Sequence, residues 1–366
     1  MLYKSGNILI KSGSAFLKQE VKQLTFQVEG DKFPIRTAGA LGNCYFRFSQ
    51  NVDVTVNYGD GVVETYSTYG QSPQLGYRTD SVDDSNVGEL APHIFQDGNT
   101  GMRNITFEFS NLSALTYIYF RYCQLSGNFP VEVVFANNLR QISLLRTNRL
   151  NAIPNEVVNI PSLEIYGVSS AFLVTPTSIP SGLFNSNLEE LDVSGTILTD
   201  NASSNFFLIN QLSNTLTFFG ATGSQIEELP NELFECTLLD DLRLDNNNFQ
   251  KVDERLNQLT ELERLYFGTV DVSVNNSLPD FNNLINLSVV YFRHNDTSGS
   301  GFNYIDIVTN WVGLKSLSQF LLFQYFCRTD AQLNAFIPYF YQLCTENGFL
   351  DPSSQAAIDS GYPYQF

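Results

Sequence analysis

The sequence contains little histidine and cysteine, two residue types on which much acid–base and metal chemistry depends. Its 366 residues include two histidines, one tryptophan and five cysteines. The cysteines form no CxxC pair and no Cys/His pair at zinc-ligand spacing. We therefore predict that they are small buried apolar residues, and we expect no metal and no cofactor. The five are Cys44, Cys123, Cys236, Cys327 and Cys344.

Positive charge and long apolar runs are also scarce. The chain has 20 Lys and Arg against 38 Asp and Glu, a net charge of −18, of which −15 falls in residues 111–366. Such acidity disfavours a nucleic-acid partner. The longest apolar runs, such as residues 320–323, are far shorter than the roughly 20 residues of a membrane helix. Residues 1–17 lack the continuous apolar segment of a signal peptide. We expect a soluble chain without membrane insertion or an export leader.

An internal repeat is the strongest feature that is present. Residues 239–249 read LDDLRLDNNNF and residues 115–125 read LTYIYFRYCQL, and both fit LxxLxLxxNxL if Cys123 takes the asparagine position. The second apolar residue of each match recurs at spacings of 21 to 30 residues, which predicts about nine stacked coils. These register positions are Ile118, Ile142, Leu163, Leu191, Leu216, Leu242, Leu265, Val290 and Phe320.

Proline supports the same register. Five prolines each fall 12 to 17 residues after a register position. Because its fixed φ suits a turn or a first helical position, we predict that each begins the return arm of its coil. The five are Pro130, Pro154, Pro180, Pro230 and Pro279.

The repeat resembles that of the leucine-rich-repeat proteins, over about residues 111–345. The resemblance implies one short strand per coil, stacked into a parallel sheet over a shared apolar core. At the ninth motif position, where asparagine normally bonds the backbone along the stack, this chain has asparagine only at Asn247 and Asn295. We therefore expect an irregular solenoid over residues 111–327. Helical apolar spacing in residues 329–343 predicts a helical cap over residues 328–366.

The first 110 residues have a different pattern. Apolar residues alternate in 24–28, 45–48, 52–58 and 105–109, which predicts antiparallel strands, and a Gly-Asp-Gly turn at 59–61 predicts a hairpin. The turn, with His93 and Phe95 as a later His-x-aromatic pair, resembles the PKD-type immunoglobulin-like sandwich. We interpret Asp60 as a cap of turn amides rather than a calcium ligand, and His93 as a packed structural residue. Residues 1–20 are a docking arm, a first strand of the sandwich or a frayed terminus.

The predicted fold class is therefore α+β/solenoid. It comprises an N-terminal antiparallel β-sandwich over residues 1–110, an irregular leucine-rich-repeat solenoid of about nine coils, and a C-terminal helical cap. No nucleophile elbow, Walker loop, zinc-protease motif or EF-hand loop is present, and we predict that the chain is not an enzyme. Two acidic strings, residues 189–192 and 240–245, are compatible with glycoside hydrolysis. The solvated faces of repeat strands explain them more simply.

Outward positions of the repeat strands supply the candidate binding residues. Aromatic and arginine side chains dominate protein interfaces, and flat rings also suit sugar faces. We expect these residues to form a concave face with two aromatic clusters and an acidic middle. The candidates are Tyr117, Tyr119, Arg121, Tyr122, Tyr166, Phe219, Arg243, Tyr266, Tyr291, Arg293 and Phe323.

These features favour a recognition or structural protein that binds a protein or a surface glycan. A Gly-Asp-Gly sandwich with degenerate repeats and no leader is similar to virion proteins of tailed bacteriophages, such as fibre, receptor-binding or capsid-decoration subunits. The similarity implies other virion subunits as partners and leaves a homo-oligomer open. A bacterial cell-surface adhesin whose leader is missing from this sequence, and an intracellular protein-binding scaffold, are the alternatives.

Overall fold

A computed structural model describes most of the chain up to residue 294. The described residues are 2–4, 7–12, 15–30, 32–33, 43–70, 73–77, 87–90, 93–95, 97–98, 101–146, 150–169, 179–199, 204–249, 251–270, 281, 283–294 and 319–320. The chain divides into two compact units. Unit 1 comprises Met1–Pro176 and Pro180–Glu190, and unit 2 comprises Thr177–Ile179 and Leu191–Phe366.

Unit 1 consists mainly of strands. They are β1 Leu2–Lys4, β2 Asn7–Ser12, β3 Ala15–Glu20, β4 Gln23–Glu29, β5 Lys32–Phe33, β6 Asn43–Phe48, β7 Asp53–Asn57, β8 Val63–Ser67, β9 Gln74–Tyr77, β10 Val87–Glu89, β11 His93–Ile94, β12 Met102–Phe109, β13 Leu115–Arg121, β14 Leu125–Asn128, β15 Gln141–Leu145, β16 Leu150–Ala152 and β17 Ile165–Gly167. Its 3-10 helices are Leu112–Ala114, Val131–Phe135, Asn155–Asn159 and Ser181–Asn185.

The strands of unit 2 have between two and seven residues. The boundary between the units falls within β18, Glu190–Asp192, and the strands that follow are β19 Phe218–Gly220, β20 Asp241–Arg243, β21 Arg264–Val270, β22 Val289–His294 and β23 Gln319–Phe320. Its 3-10 helices are Phe206–Leu212, Asn231–Glu235 and Glu254–Gln258. All helices in the described residues are short 3-10 helices, and none is long and apolar enough to cross a membrane.

The antiparallel strands predicted in the N-terminal region are confirmed. β12 pairs with β4 on one side and with β7 on the other, and β7 and β8 form the predicted hairpin. The hairpin turn uses Gly59 and Gly61 at φ +78° and +95°, a region that favours glycine. β1, β2 and β3 form a separate antiparallel sheet. The PKD-like classification and the docking role of residues 1–20 stay predictions.

Phenylalanine fills the core of unit 1. Phe26 of β4 lies 5.0 Å, centroid to centroid, from Phe120 of β13 and 5.9 Å from Phe107 of β12, and Phe46 of β6 lies 4.9 Å from Phe107. All four rings are almost completely buried. Strands from both sides of residue 110 therefore share one aromatic core.

The first repeat strand is joined to the N-terminal region by backbone hydrogen bonds. β6 pairs antiparallel with β13, and β4 pairs antiparallel with β14. An unpaired first strand would expose a sheet edge, which proteins normally protect. The N-terminal region thus covers the start of the repeats. The limits of the predicted domains, at residues 110 and 327, stay predictions.

The repeat strands are parallel and follow the leucine-rich-repeat pattern. β13, β15 and β17 pair in unit 1, and β19 to β23 pair in order in unit 2. Pro130, Pro154, Pro180 and Pro230 each stand directly before a 3-10 helix, which confirms the predicted start of the return arm. Pro279 lies outside the described residues, as does the predicted cap. The number of coils stays a prediction.

The predicted register is right at several coils and wrong at two. Ile142 pairs with Ile118, and Leu265 pairs with Leu242, as predicted. However, Ile142 pairs on its other side with Tyr166 rather than Leu163, and Leu242 pairs with Phe219 rather than Leu216. The two leucines are buried at the first motif position. In both coils the second apolar position holds an aromatic residue that the sequence analysis placed on the surface.

The ninth motif position has different chemistry in the two units. In unit 2, Asn247 donates to the carbonyls of Ala221 and Leu244, and its Oδ1 accepts from the amides of Ser224 and Ile226. In unit 1, Cys123 makes only two thiol bonds, to backbone carbonyls. The corrected register replaces Ala221 with Ser224 at this position in the coil before Asn247. Asn295 lies outside the described residues.

The cysteine prediction is confirmed where the structure describes it. Cys44, Cys123 and Cys236 are free and buried. Burial raises the pKa of all three thiols, that of Cys236 to about 12, so they remain protonated. Cys327 and Cys344 lie outside the described residues.

Candidate functional site

Three tyrosines lie side by side on the open face of the unit 1 sheet, the face opposite the buried side chains of β13. Tyr117 and Tyr119 alternate with buried Ile118 and Phe120, and Tyr45 enters from the neighbouring β6. The Tyr45 ring stacks on Tyr119 at 4.6 Å and on Tyr117 at 5.3 Å. The three rings therefore form a continuous aromatic platform across two strands, in which Tyr117 and Tyr119 are partly exposed and Tyr45 is only 8% exposed.

Arg47 completes this platform, and we call Tyr45, Arg47, Tyr117 and Tyr119 the tyrosine surface. The Arg47 guanidinium lies 5.0 Å from the ring centroid of Tyr117, within cation–π range. The hydroxyls of Tyr45 and Tyr117 are 3.2 Å apart and hydrogen-bonded. Burial is the main cause, and the bond to Tyr45 the second, that raises the pKa of Tyr117 well above its usual range. Its hydroxyl therefore stays neutral.

Tyr122 belongs to a separate contact at the end of β13. Its hydroxyl accepts a 2.8 Å hydrogen bond from Arg146, and the Arg121 guanidinium lies 5.2 Å from its ring centroid. Burial raises the pKa of Tyr122, but the hydrogen bonds and positive charges of Arg121 and Arg146 together outweigh it and lower the pKa below its usual value. Tyr122, directly after β13, and Arg146, directly after β15, both have positive φ, an uncommon backbone conformation for residues other than glycine.

The open face of unit 2 has a charged network at the corresponding strand positions. Asp241 of β20 accepts hydrogen bonds from Arg243 at 3.1 and 2.9 Å and from Arg264 of β21 at 2.8 Å. The Arg243 guanidinium also lies 5.2 Å from the Phe218 ring and 5.3 Å from the Tyr266 ring. We call Phe218, Asp241, Arg243, Arg264 and Tyr266 the arginine–aspartate network.

Three acids of the predicted strings, Asp192, Asp241 and Asp245, are not the solvated carboxylates that the sequence predicted, whereas Glu189 is exposed and the Asp240 side chain is 44% exposed. Asp241 is buried, with 3% of its side chain exposed, because two arginines cover it. Asp192 is half-buried and accepts from the Ser194 amide at 3.0 Å, and burial raises its pKa. A Cβ on Gly220 would lie 2.9 Å from the Asp192 carboxylate, so glycine leaves room for that acid. Burial likewise raises the pKa of Asp245.

Asp60 and His93 form a structural pair beside the β7–β8 turn. His93 Nε2 lies 2.6 Å from Asp60 Oδ2, and the Val62 amide donates to Asp60 Oδ1 at 3.1 Å, which confirms the predicted capping role. The His93 ring stacks on Tyr58 at 4.1 Å, in agreement with a packed structural residue. Burial raises the pKa of Asp60, but the bonds from His93 and Val62 outweigh it and lower the pKa. The described residues contain no group of three His, Cys, Asp or Glu side chains placed to hold a metal ion.

The outward placement of Tyr166 and Phe219 is wrong. Tyr166 is 1% exposed and Phe219 is 0% exposed, because each occupies the second apolar position of its coil and points into the core. Tyr117, Tyr119, Arg121, Tyr122, Arg243 and Tyr266 are all at least partly exposed. The backbones of Tyr291 and Arg293 lie in β22, but their side chains are outside the described residues, as is the whole of Phe323.

Sequence reasoning missed several members of the two sites. Tyr45 and Arg47 alternate with buried Phe46 and Phe48, a signal that places them on the face opposite the core. Nothing local indicates that β6 lies beside β13. Phe218 was missed because the register of its coil was predicted three residues too early.

Comparisons with known proteins add distant likenesses. No protein-family model matches the chain, and no curated protein matches it. Among solved structures, it is similar to an internalin of Listeria monocytogenes at 14% identity, covering 62% of this chain and 85% of that one, with a TM-score of 0.28.

Two plant receptors are also similar. The GASSHO1/SCHENGEN3 ectodomain of Arabidopsis thaliana shares 18% identity over 54% of this chain and 28% of its own length, with a TM-score of 0.35. The ectodomain of the Arabidopsis receptor kinase HAESA shares 17% identity over 58% and 46%, with a TM-score of 0.31. The chain spans less than half the length of these two ectodomains.

Proposed function

We propose that the chain is a non-enzymatic recognition protein that binds a peptide segment of a protein partner on the tyrosine surface. One observation carries the proposal: the partly exposed rings of Tyr117 and Tyr119 stack on buried Tyr45 of the adjacent strand, with Arg47 over the Tyr117 ring. Tyrosine and arginine are enriched among the residues that contribute most to interface energy.

Preorganisation supports the same conclusion. The rings restrain one another by stacking, and the Tyr45–Tyr117 hydroxyl bond further restrains two of them. When a partner binds rings that are already restrained, these side chains lose little further conformational entropy, and such a loss is a main cost of binding. The surface carries no carboxylate, so an approaching carbonyl or acidic side chain meets the Arg47 guanidinium and phenolic hydroxyls without like-charge repulsion.

A peptide selection tests the proposal. A displayed library of random peptides is selected on the immobilised wild-type chain, and the enriched peptides are titrated against a Tyr117→Ala/Tyr119→Ala variant. We expect the affinity to fall by about tenfold or more, since two interface tyrosines are removed. The control is Phe207→Ala, which removes an exposed aromatic ring, 39% exposed, in unit 2.

Three outcomes decide between the readings. The proposal is supported by peptides that bind the wild type and Phe207→Ala with equal affinity but bind the double variant at least about tenfold more weakly. Peptides unaffected by the double variant overturn the site. If no peptide is enriched, but soluble glycans bind the wild type and fail to bind the double variant, the surface binds sugar instead.

The proposal that the chain is a bacteriophage virion subunit rests on sequence features alone, namely the Gly-Asp-Gly turn and the degenerate repeats. A virion subunit would be present at stoichiometric copy number when purified particles are analysed by mass spectrometry. A natural N-terminus carrying a leader would instead favour the surface adhesin.

A further inference from the structure

Among the described residues, strand β8 is the last strand at one end of the six-stranded sheet in unit 1 and has no neighbour on its outer side. The strand order is β16-β14-β4-β12-β7-β8, and within the described residues β8 pairs only with β7. Four of its five side chains are exposed, and Tyr66 is half-buried. Proteins usually protect such edges with lysine, proline, a bulge or a covering loop. The sequence VETYS contains neither lysine nor proline, and its pairing with β7 shows no register shift.

The hydrogen-bonding pattern between β7 and β8 shows which backbone amides and carbonyls of β8 point away from β7. The Tyr58 amide donates to the Val62 carbonyl at 3.1 Å, and the Thr68 amide donates to the Val52 carbonyl at 3.0 Å. Hydrogen-bonded pairs alternate along an antiparallel ladder, so Glu64 and Tyr66 face β7 with their amides and carbonyls. The intervening residues of β8 direct theirs outward. These residues are Val63, Thr65 and Ser67.

We propose that β8 pairs antiparallel with β8 of a second copy of this chain, about a two-fold axis that passes beside Thr65. In this register Thr65 faces Thr65 of the second copy, Val63 faces Ser67, and Glu64 faces Tyr66. The Val63–Ser67 and Glu64–Tyr66 contacts each occur twice, as in other two-fold interfaces, and the Thr65–Thr65 contact lies on the axis and occurs once. The outward amides and carbonyls of one copy meet those of the other.

Charge favours this orientation. Glu64 is the only charged residue of β8. An in-register parallel pairing would place the two Glu64 carboxylates opposite each other, and like charges at directly opposed positions are destabilising. The antiparallel register places each carboxylate opposite a tyrosine.

Exposed apolar residues at the two ends of β8 fit the same arrangement. Val62 and Val63 are 38% and 56% exposed at one end, and Tyr69, just beyond the other end, is 52% exposed. Antiparallel pairing brings Tyr69 of each copy beside the Val62 end of the other. The two-fold contact thus buries apolar side chains that the single chain leaves in water.

The contact is short, so the dimer is expected to be weak and concentration-dependent. A five-residue strand pair lies below the usual size of a stable protein interface. It is independent of the tyrosine surface, which lies on a different sheet.

Cysteine cross-linking tests the register. Opposed residues of a hydrogen-bonded pair have Cα atoms about 5.5 Å apart, within disulfide reach. We expect a mixture of the Val63→Cys and Ser67→Cys chains to form disulfide-linked dimers under mild oxidant, and the Thr65→Cys chain to do so alone. Val63→Cys alone should not. The wild type, oxidised in parallel, controls for the native cysteines.

Two results would overturn the pairing. One is cross-linking of Val63→Cys alone as efficient as that of the mixture, which indicates another register or random collision. The other is a wild-type chain that stays monomeric from micromolar to millimolar concentration, with no cross-link in any variant.

A proline variant tests the edge by a second route. The Thr65 amide points away from β7, so Thr65→Pro removes no backbone hydrogen bond within the chain but blocks an added strand. It also removes the 3.0 Å hydroxyl bond between Thr65 and Thr55, which Thr65→Val removes as well. We expect sedimentation velocity to show wild type and Thr65→Val as concentration-dependent dimers and Thr65→Pro as a monomer. A folded Thr65→Pro chain that dimerises like wild type contradicts the proposal. If this variant fails to fold, the cross-linking register still decides.

Discussion

The open faces of the two units use the same strand positions for opposite chemistry. In unit 1 Tyr117 and Tyr119 of β13 stack with Tyr45, and the charge near these rings comes from Arg47 and Arg121. In unit 2 the outward residues of β20 and β21 are held by ion pairs around buried Asp241. Stacked rings present apolar area that a partner can desolvate at little cost, whereas charged groups resist desolvation. The comparison explains why we place the binding surface in unit 1 and a structural network in unit 2.

Among these predictions, the largest difference in stability between the units is expected from substitutions at the ninth motif position. Asn247→Ala leaves four backbone partners without their bonds, and a buried unsatisfied polar group costs about 1–3 kcal/mol. We expect the free energy of unfolding to fall by roughly 3 kcal/mol or more. Cys123→Ala removes a small side chain with two thiol bonds and should cost about 1–2 kcal/mol.

Chemical denaturation of the two variants measures this difference. Equal losses would show that the asparagine bonds do not contribute more than the thiol. In that case the contrast between the units at this position would have no energetic meaning.

Two aspartates of unit 2 should respond in opposite directions to the same substitution. Asp241→Asn removes the charge that holds Arg243 and Arg264, and we expect a loss of about 1–2 kcal/mol, because both arginines are partly exposed and water screens the pair. Asp192→Asn keeps an oxygen for the Ser194 amide and removes a charge that burial disfavours. We expect a small rise in Tm.

The pH dependence gives the control for Asp192. Its folded-state pKa is raised above the unfolded value, so the folded state binds the proton more tightly. Its contribution therefore favours folding as pH falls through the folded pKa and disfavours it at neutral pH. Thermal melts of wild type and Asp192→Asn should converge as pH is lowered from neutral. A constant difference in Tm would contradict this assignment.

The smallest effect is expected within the tyrosine surface. Tyr117→Phe removes the hydroxyl that bonds Tyr45 but leaves the stacked rings in place. We expect a loss of about 0.5–1 kcal/mol in the free energy of unfolding. Selected peptides should bind this variant within a few-fold of wild type. A loss as large as that of the double alanine variant would mean that the hydroxyl, not the ring, makes the contact.

Prediction from sequence succeeded where the signal is local. Alternation in residues 24–28 and 105–109 predicted antiparallel strands because a strand exposes alternate residues to water. Prolines marked the 3-10 helices because proline restricts its own φ and lacks an amide proton. The predicted register was wrong at Tyr166 and Phe219 because the sequence alone does not distinguish an aromatic residue that packs in the core from one that lies at an interface.

The candidate site was predictable only in part. Tyr117, Tyr119, Arg243 and Tyr266 follow from alternation about a correct register position. Their partners do not, because Tyr45 is distant in sequence and reaches Tyr119 through the pairing of β6 with β13. The role of Asp241 was hidden for the same reason, since Arg264 belongs to the next strand.

The sequence by itself determined that this chain builds short parallel strands at a period of about 25 residues, preceded by antiparallel strands, because periodicity and turn residues act over a few positions. Only the tertiary structure decided which residues meet: the aromatic platform, the buried carboxylate between two arginines, and the outward amides of β8. Each depends on which strands become neighbours and in what register, and that choice minimises the free energy of the whole core rather than of any segment.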